Sequence, residues 1–292
     1  MSNLFVFGLG YSAGTAGALL QARGWQVAGT VRFASKIASL EKEGLSAFLF
    51  DNRSSVEKAL DTATHLLVST PPSEAGDPVL NAYVQALGVA PALRWVGYLS
   101  TIGVYGDYQG GWVDEYTPAA PATGRGAARI KAENAWSALA SARGLSLDIL
   151  RLSGIYGPGR SPLDRIRDGE ARRIIKPGQV FNRIHVEDIA RVVAAAAQEE
   201  RNKGAVRIFN VTDDEPAPPQ DVILYAAKLL DAPAPPEIPF DSAALSPMAR
   251  SFYGDNKRVR NDKMKRELGV TLRYPTYREG LRALARTSSG AF

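Results

Sequence analysis

Short apolar runs alternate with longer stretches in which apolar side chains recur every three or four positions. The runs fall at residues 4–8, 26–31, 47–50, 65–69, 95–100 and 146–152. They predict strands buried on both faces, because they lack the strict every-other-residue alternation of a half-solvated sheet. The intervening segments 13–23, 35–43, 54–61, 78–87 and 126–143 predict helices, with Gly24, Gly44, Gly88 and Gly144 as closing residues. Strand, helix and strand in this order predict an α/β fold, a doubly wound parallel sheet of the Rossmann kind.

Beyond residue 151 the texture changes. Gly and Pro punctuate GIYGPGR, KPGQ, EPAPPQ and DAPAPPEIPF, which predicts loops around a smaller, discontinuous second unit. A helix at 187–198 and a strand at 207–211 are expected to return to the sheet. The expected division is therefore 1–157 plus about 181–212 for the nucleotide-binding unit, and about 158–180 plus 213–292 for the substrate unit.

The first strand runs into Gly8-Leu9-Gly10-Tyr11-Ser12-Ala13-Gly14, and a helix follows. Gly8 permits a tight turn, Gly10 removes a side chain that would block a pyrophosphate, and Ala13 or Gly14 allows close helix packing. Phosphates would rest on the amides of Tyr11, Ser12 and Ala13 at the helix start. An NAD-preferring site places a carboxylate at the end of the second strand; here the chain reads Gly29-Thr30-Val31-Arg32, with Lys36 one turn on. A hydroxyl and cations there suit a 2′-phosphate, so NADP is expected over NAD; Arg32 as an exposed residue opening the next helix is the alternative. Asp51 either accepts from the adenine amine or caps its turn. Ser69 and Thr70, ending the fourth strand, complete the expected cofactor set.

The LSTIGVYG segment at 99–106, RLSGIYGPG at 151–159 and RIHVEDIA at 183–190 follow the glycine loop in order. With it they resemble the extended short-chain dehydrogenase/reductase family, also called NAD-dependent epimerases/dehydratases, and the C-terminal NKRVRNDKMKRELGVTLRYPTYREGL looks like an atypical branch of it. The resemblance implies that Thr101 hydrogen-bonds the reacting oxygen, that Tyr156 and its backbone lie beside the nicotinamide, and that His185 packs rather than acts as a base. It also implies a Tyr-x-x-x-Lys pair on the helix after strand five. This chain departs there, with Arg125 where Tyr is expected and Arg129 where Lys is expected. Arg129 would still donate to ribose hydroxyls, whereas Arg125 cannot act as an acid or base near neutrality.

Arg125, Arg129 and Glu133 stand at i, i+4 and i+8 and share a helix face. That face is read either as a surface ion-pair stripe or as a cleft wall on which Arg125 anchors an anionic substrate. Proton transfer would fall to Thr101 through water, Tyr105, Tyr108, Asp114 or Glu115. Tyr253 and Lys257 match the lost pair in spacing alone, with Gly254 between them, and are read as structural or as part of a substrate loop.

Composition narrows the picture. Hydrophobic residues make up 45% and charged residues 22% of 292, so the chain can build a large core, and no run of about 18 apolar residues exists to span a membrane. The opening MSNLFVFGLGYSAG lacks a basic leader and a cleavage site, so a cytoplasmic location is expected. Cysteine is absent and only His65 and His185 are present, so no metal site is expected. The net charge of +5 is scattered; its densest run, Lys257 to Arg266, reads as a solvated helix face, and nucleic acid is not an expected partner. The function expected is an NADP(H)-dependent oxidoreductase or epimerase-like enzyme for a small polar or anionic substrate. The alternative is a catalytically silent NADP(H) sensor acting through a protein partner, and a homodimer through helices such as the one carrying Trp136 is left open.

Overall fold

The computed structural model describes residues 2–198 and 204–289. In chain order the elements are β1 (Asn3–Phe7), α1 (Tyr11–Gln21), β2 (Gln26–Val31), α2 (Ile37–Lys42), β3 (Ser46–Leu49), α3 (Arg53–Leu60), β4 (His65–Val68), α4 (Pro78–Val89), β5 (Trp95–Thr101), β6 (Trp112–Val113), α5 (Gly124–Arg143), β7 (Ser146–Leu152) and β8 (Gly154–Tyr156). They continue with α6 (Pro162–Arg167), β9 (Arg173–Ile175), β10 (Arg183–His185), α7 (Val186–Gln198), β11 (Val206–Val211), α8 (Pro219–Leu229), β12 (Glu237–Pro239), α9 (Pro247–Phe252), β13 (Arg258–Val259), α10 (Asp262–Leu268) and α11 (Tyr277–Ser289).

Seven strands form one parallel sheet in the order β11-β7-β5-β4-β1-β2-β3. The strand at 207–211 does return to it, as the outer strand beside β7. β4 and β7 are buried at every position, because helices cover both faces. One face packs Leu4, Val6, Leu67, Leu99 and Leu150 against α1 and α7; the other packs Phe5, Phe7, Val68, Tyr98 and Ile149 against α3, α4 and α5. Trp136 of α5 belongs to this second core, with its indole N–H donated to Asp77. Gly88 lies within the last turn of α4 rather than closing it, whereas Gly24, Gly44 and Gly144 adopt positive φ.

After β1 the chain winds outward through β2 and β3, then returns to build β4, β5 and β7 on the other side. The reversal opens a crevice above the carboxyl ends of β1 and β4, which is where ligands bind in such sheets. α6, α8 and α11 surround a smaller core of Leu163, Ala217, Val222, Ala226, Tyr277 and Leu281. Met264, Val270 and Leu272 pack into the sheet core and β13 pairs with β6. Among the described residues no helix is long and apolar enough to cross a membrane.

Candidate active site

The glycine loop stands at the crevice. Gly8 has φ +90°, and a Cβ there would meet the Thr70 methyl at 3.2 Å, so turn and contact both call for glycine. Thr30 secures the loop from below: its Oγ1 accepts from Gly8 N at 3.0 Å and its carbonyl from Leu9 N at 2.8 Å. Thr30 is only 1% exposed and holds the loop from within the sheet. Gly10 precedes α1 with no side-chain cap, and no acidic residue occupies the first turn. The amides of Tyr11, Ser12 and Ala13 thus face an end with positive potential and no carboxylate of the helix's own first turn. Close helix packing falls on Ala13, fully buried, and on Gly17, where a Cβ would stand 3.2 Å from Val27; Gly14 has open space instead.

Ser69 and Thr70 follow β4 across the crevice, and the Thr70 hydroxyl is buried without a hydrogen-bond partner. An enclosed, unmet hydroxyl beside an uncapped helix start fits a dinucleotide phosphate. Arg32 and Lys36 are exposed past the end of β2, and Asp51 is exposed past β3 on the same edge of the sheet.

Thr101 ends β5, half-buried, and accepts from Gly103 N at 3.1 Å. α5 begins at Thr123, whose hydroxyl caps Gly126 N. Arg129 turns down onto the sheet edge beside Thr101, donating to the Leu99 carbonyl at 2.8 Å and the Tyr98 hydroxyl at 3.1 Å. Arg125 is exposed and reaches the other wall: it donates to Ser251 Oγ at 2.8 Å and lies over the Phe252 ring of α9. Glu133 is buried and binds Arg151 through two hydrogen bonds, 2.7 and 3.2 Å, while accepting from Ser100. The surface ion-pair stripe is thereby excluded, because each of the three residues has a different partner.

The aromatic candidates move away from the chemistry. Tyr105 is wholly buried, its hydroxyl donates to Asn210 at 2.7 Å and its ring lies under Arg151. Tyr156 points under α11, 5% exposed, where a Cβ on Gly280 would collide with its hydroxyl. Its side chain belongs to the second core. Tyr108 donates to the Pro118 carbonyl, Asp114 closes its own turn onto Tyr116 and Thr117, and Glu115 accepts from Asn210 N. Lys257 is buried on the Gly106 carbonyl and Tyr253 packs with Ile174 and Ala243, which makes both structural.

His185 packs between the Tyr156 and Tyr274 rings. Burial, then Arg273, lowers its pKa to about 4, so it is neutral at pH 7, and its Nδ1 accepts from Glu187 N. Among the described residues no group of three or more His, Asp or Glu could hold a metal ion. Sequence reasoning missed Arg151 and also Arg160, which follows the GPG turn; only the basic residue after that turn signalled the latter.

Residues 15–212 match the NAD dependent epimerase/dehydratase family. Protein YeeZ of Escherichia coli (strain K12) is 30% identical over 288 residues, which cover 94% of this chain and 97% of YeeZ. A 3-diazoavenalumate denitrifying reductase of Streptomyces sp is 31% identical over 184 residues, 58% of this chain and 55% of the reductase. A functionally unknown conserved protein from Silicibacter pomeroyi DSS superimposes with a TM-score of 0.89 at 50% identity, covering 99% of each chain.

Proposed function

This chain belongs to the NAD-dependent epimerase/dehydratase family, and from that premise we propose that it is an NADP(H)-dependent oxidoreductase or epimerase-like enzyme for a small polar or anionic substrate. The observation that carries the reading is the crevice: an uncapped helix start, a glycine at φ +90° and an unmet Thr70 hydroxyl meet where the sheet reverses. Gly8, Gly10, Tyr11, Ser12, Ala13 and Gly14 would hold the pyrophosphate, with Ser69 and Thr70 closing the far side. Arg32 and Lys36, with no carboxylate at the end of β2, favour the 2′-phosphate of NADP over NAD. Asp51 would face the adenine.

A bound nicotinamide cofactor supplies hydride exchange. Thr101 would donate to the reacting oxygen, and Arg129, fixed beside it on Leu99, would hold the ribose hydroxyls. Arg125 would exchange Ser251 for an anionic group of the substrate. Likeness to a reductase named for an anionic substrate supports the same class. A guanidinium stays protonated near neutrality, so these arginines contribute charge and orientation, and a water on Thr101 would carry the proton. The crevice residues 1–157 and 181–212 act as the cofactor unit, and a cytoplasmic location suits a soluble cofactor.

A second reading, a silent NADP(H) sensor acting through a protein partner, is favoured by one observation: Tyr105 and Tyr156 are enclosed and neither arginine replaces their acid chemistry. Incubation with 4-deuterated NADPH and a panel of small carbonyl acids separates the two. Deuterium in a product supports the enzyme. Cofactor bound without transfer, together with a partner captured in one redox state alone, supports the sensor.

A further inference from the structure

The turn after β8 reaches back over the cofactor loop. Tyr11, the first residue of α1, donates its hydroxyl to the Pro158 carbonyl at 3.0 Å. Gly157 leaves room for this contact, since a Cβ there would stand 2.5 Å from the Tyr11 oxygen and 2.7 Å from Val186. Gly157 and Arg160 exchange backbone hydrogen bonds of 3.2 and 3.0 Å, and Gly159 supplies the left-handed residue, φ +67°, that this tight turn requires. The turn presents Arg160 with its guanidinium carbon 5.9 Å from the centre of the Tyr11 ring.

Neighbouring carboxylates do not neutralise Arg160. Asp164 accepts from the Ser161 amide and hydroxyl and pairs with Arg167, and Glu187 pairs with Arg273. Among the described residues Arg160 forms no ion pair, and its side chain is exposed. An unneutralised cation therefore stands one aromatic ring away from a helix start that is itself short of negative charge. A cation held over the first residue of a helix whose own first turn carries no acidic residue suits a doubly charged anion, with Asp164 and Glu187 nearby but each engaged with another partner.

We propose that Arg160 is a pyrophosphate clamp: a cation contributed by the loop after β8 that closes over the dinucleotide on the first turn of α1, with the Tyr11 ring as its platform. The proposal rests on the cofactor reading given above. It also assigns the Tyr11–Pro158 hydrogen bond a function, since that bond holds the clamp loop in register with the glycine loop. The clamp recognises the diphosphate, not the 2′-phosphate and not the base.

The test is calorimetric titration of wild type, Arg160→Ala and Arg160→Lys with NADP+, NAD+, ADP-ribose and adenosine 2′-monophosphate. Arg160→Ala should weaken NADP+, NAD+ and ADP-ribose by one common factor, on the order of tenfold, as expected for one charge-assisted contact. Arg160→Lys should restore part of it, and adenosine 2′-monophosphate, which has no diphosphate, should be unaffected. Unchanged affinities in Arg160→Ala would overturn the clamp while leaving the cofactor reading intact. A parallel loss for adenosine 2′-monophosphate would overturn it too, by showing a general field effect. Wild type that binds none of the four would instead overturn the cofactor reading on which the clamp depends.

Discussion

Glu133→Ala would strip the partner from Arg151, whose side chain is 5% exposed, and an acceptor from Ser100, both beneath the Thr101 end of β5. The guanidinium would keep its stacking on Tyr105 at 4.9 Å but lose both charge-assisted hydrogen bonds. Leaving one buried charge unpaired costs about 3–5 kcal/mol. At roughly 2–4 °C per kcal/mol for a domain of this size class, a loss of about 4 kcal/mol lowers Tm by roughly 8–16 °C. Removing both charges together is different, because a shape-matched apolar pair carries no desolvation penalty. Thermal and urea denaturation of Glu133→Ala, Glu133→Leu, Arg151→Met and the double variant Glu133→Leu with Arg151→Met therefore forms the assay. The double variant should be no less stable than the worse single one. Losses that simply add would refute the reasoning, for they would mean that the two residues act independently of their pairing.

Further outcomes follow from the same structure. Arg32→Ala should weaken NADPH by about 10- to 100-fold and leave NADH unchanged, read by calorimetry; an equal loss for both cofactors would contradict a 2′-phosphate role. Gly8→Ala forces a side chain into φ +90° against Thr70, so about 1–3 kcal/mol of stability and the cofactor affinity should fall together in urea titration and binding assays. His65 is enclosed by Trp25 and Trp95, and burial followed by Arg94 lowers its pKa from 6.5 to about 4. The unfolded chain takes up this proton first, so the His65 contribution is complete above pH 6.5 and is lost by about 1.4 kcal/mol per unit as pH falls toward 4. The stability of wild type should accordingly decline more steeply over that window than that of His65→Phe; parallel curves would contradict it.

The sheet and the glycine loop were legible because their signals are local: predominantly apolar runs of four to seven residues, and a glycine cluster placed between a strand and a helix. The departures arise where a partner is distant in sequence. Arg125 meets Ser251, Tyr156 lies against Gly280, and Tyr105 reaches Asn210, all across more than 100 residues. The face of Arg125, Arg129 and Glu133 stayed open between a surface stripe and a cleft wall because helical spacing says which residues share a face but not what lies opposite. Thr30 shows the same limit on a small scale, since a hydroxyl that supports a loop and one that contacts a ligand look alike in a sequence. Met264, Val270 and Leu272 belong to the sheet core although they lie far along the chain from its strands, a packing that local pattern does not reveal.

The central claim, that the crevice between β1 and β4 holds NADP(H), is tested most directly by calorimetric titration of the purified wild-type protein with NADPH and with NADH, after removal of any cofactor that copurifies. Saturable binding with NADPH the tighter ligand is the result expected. Binding of neither cofactor would contradict the account and leave the glycine loop as scaffold alone.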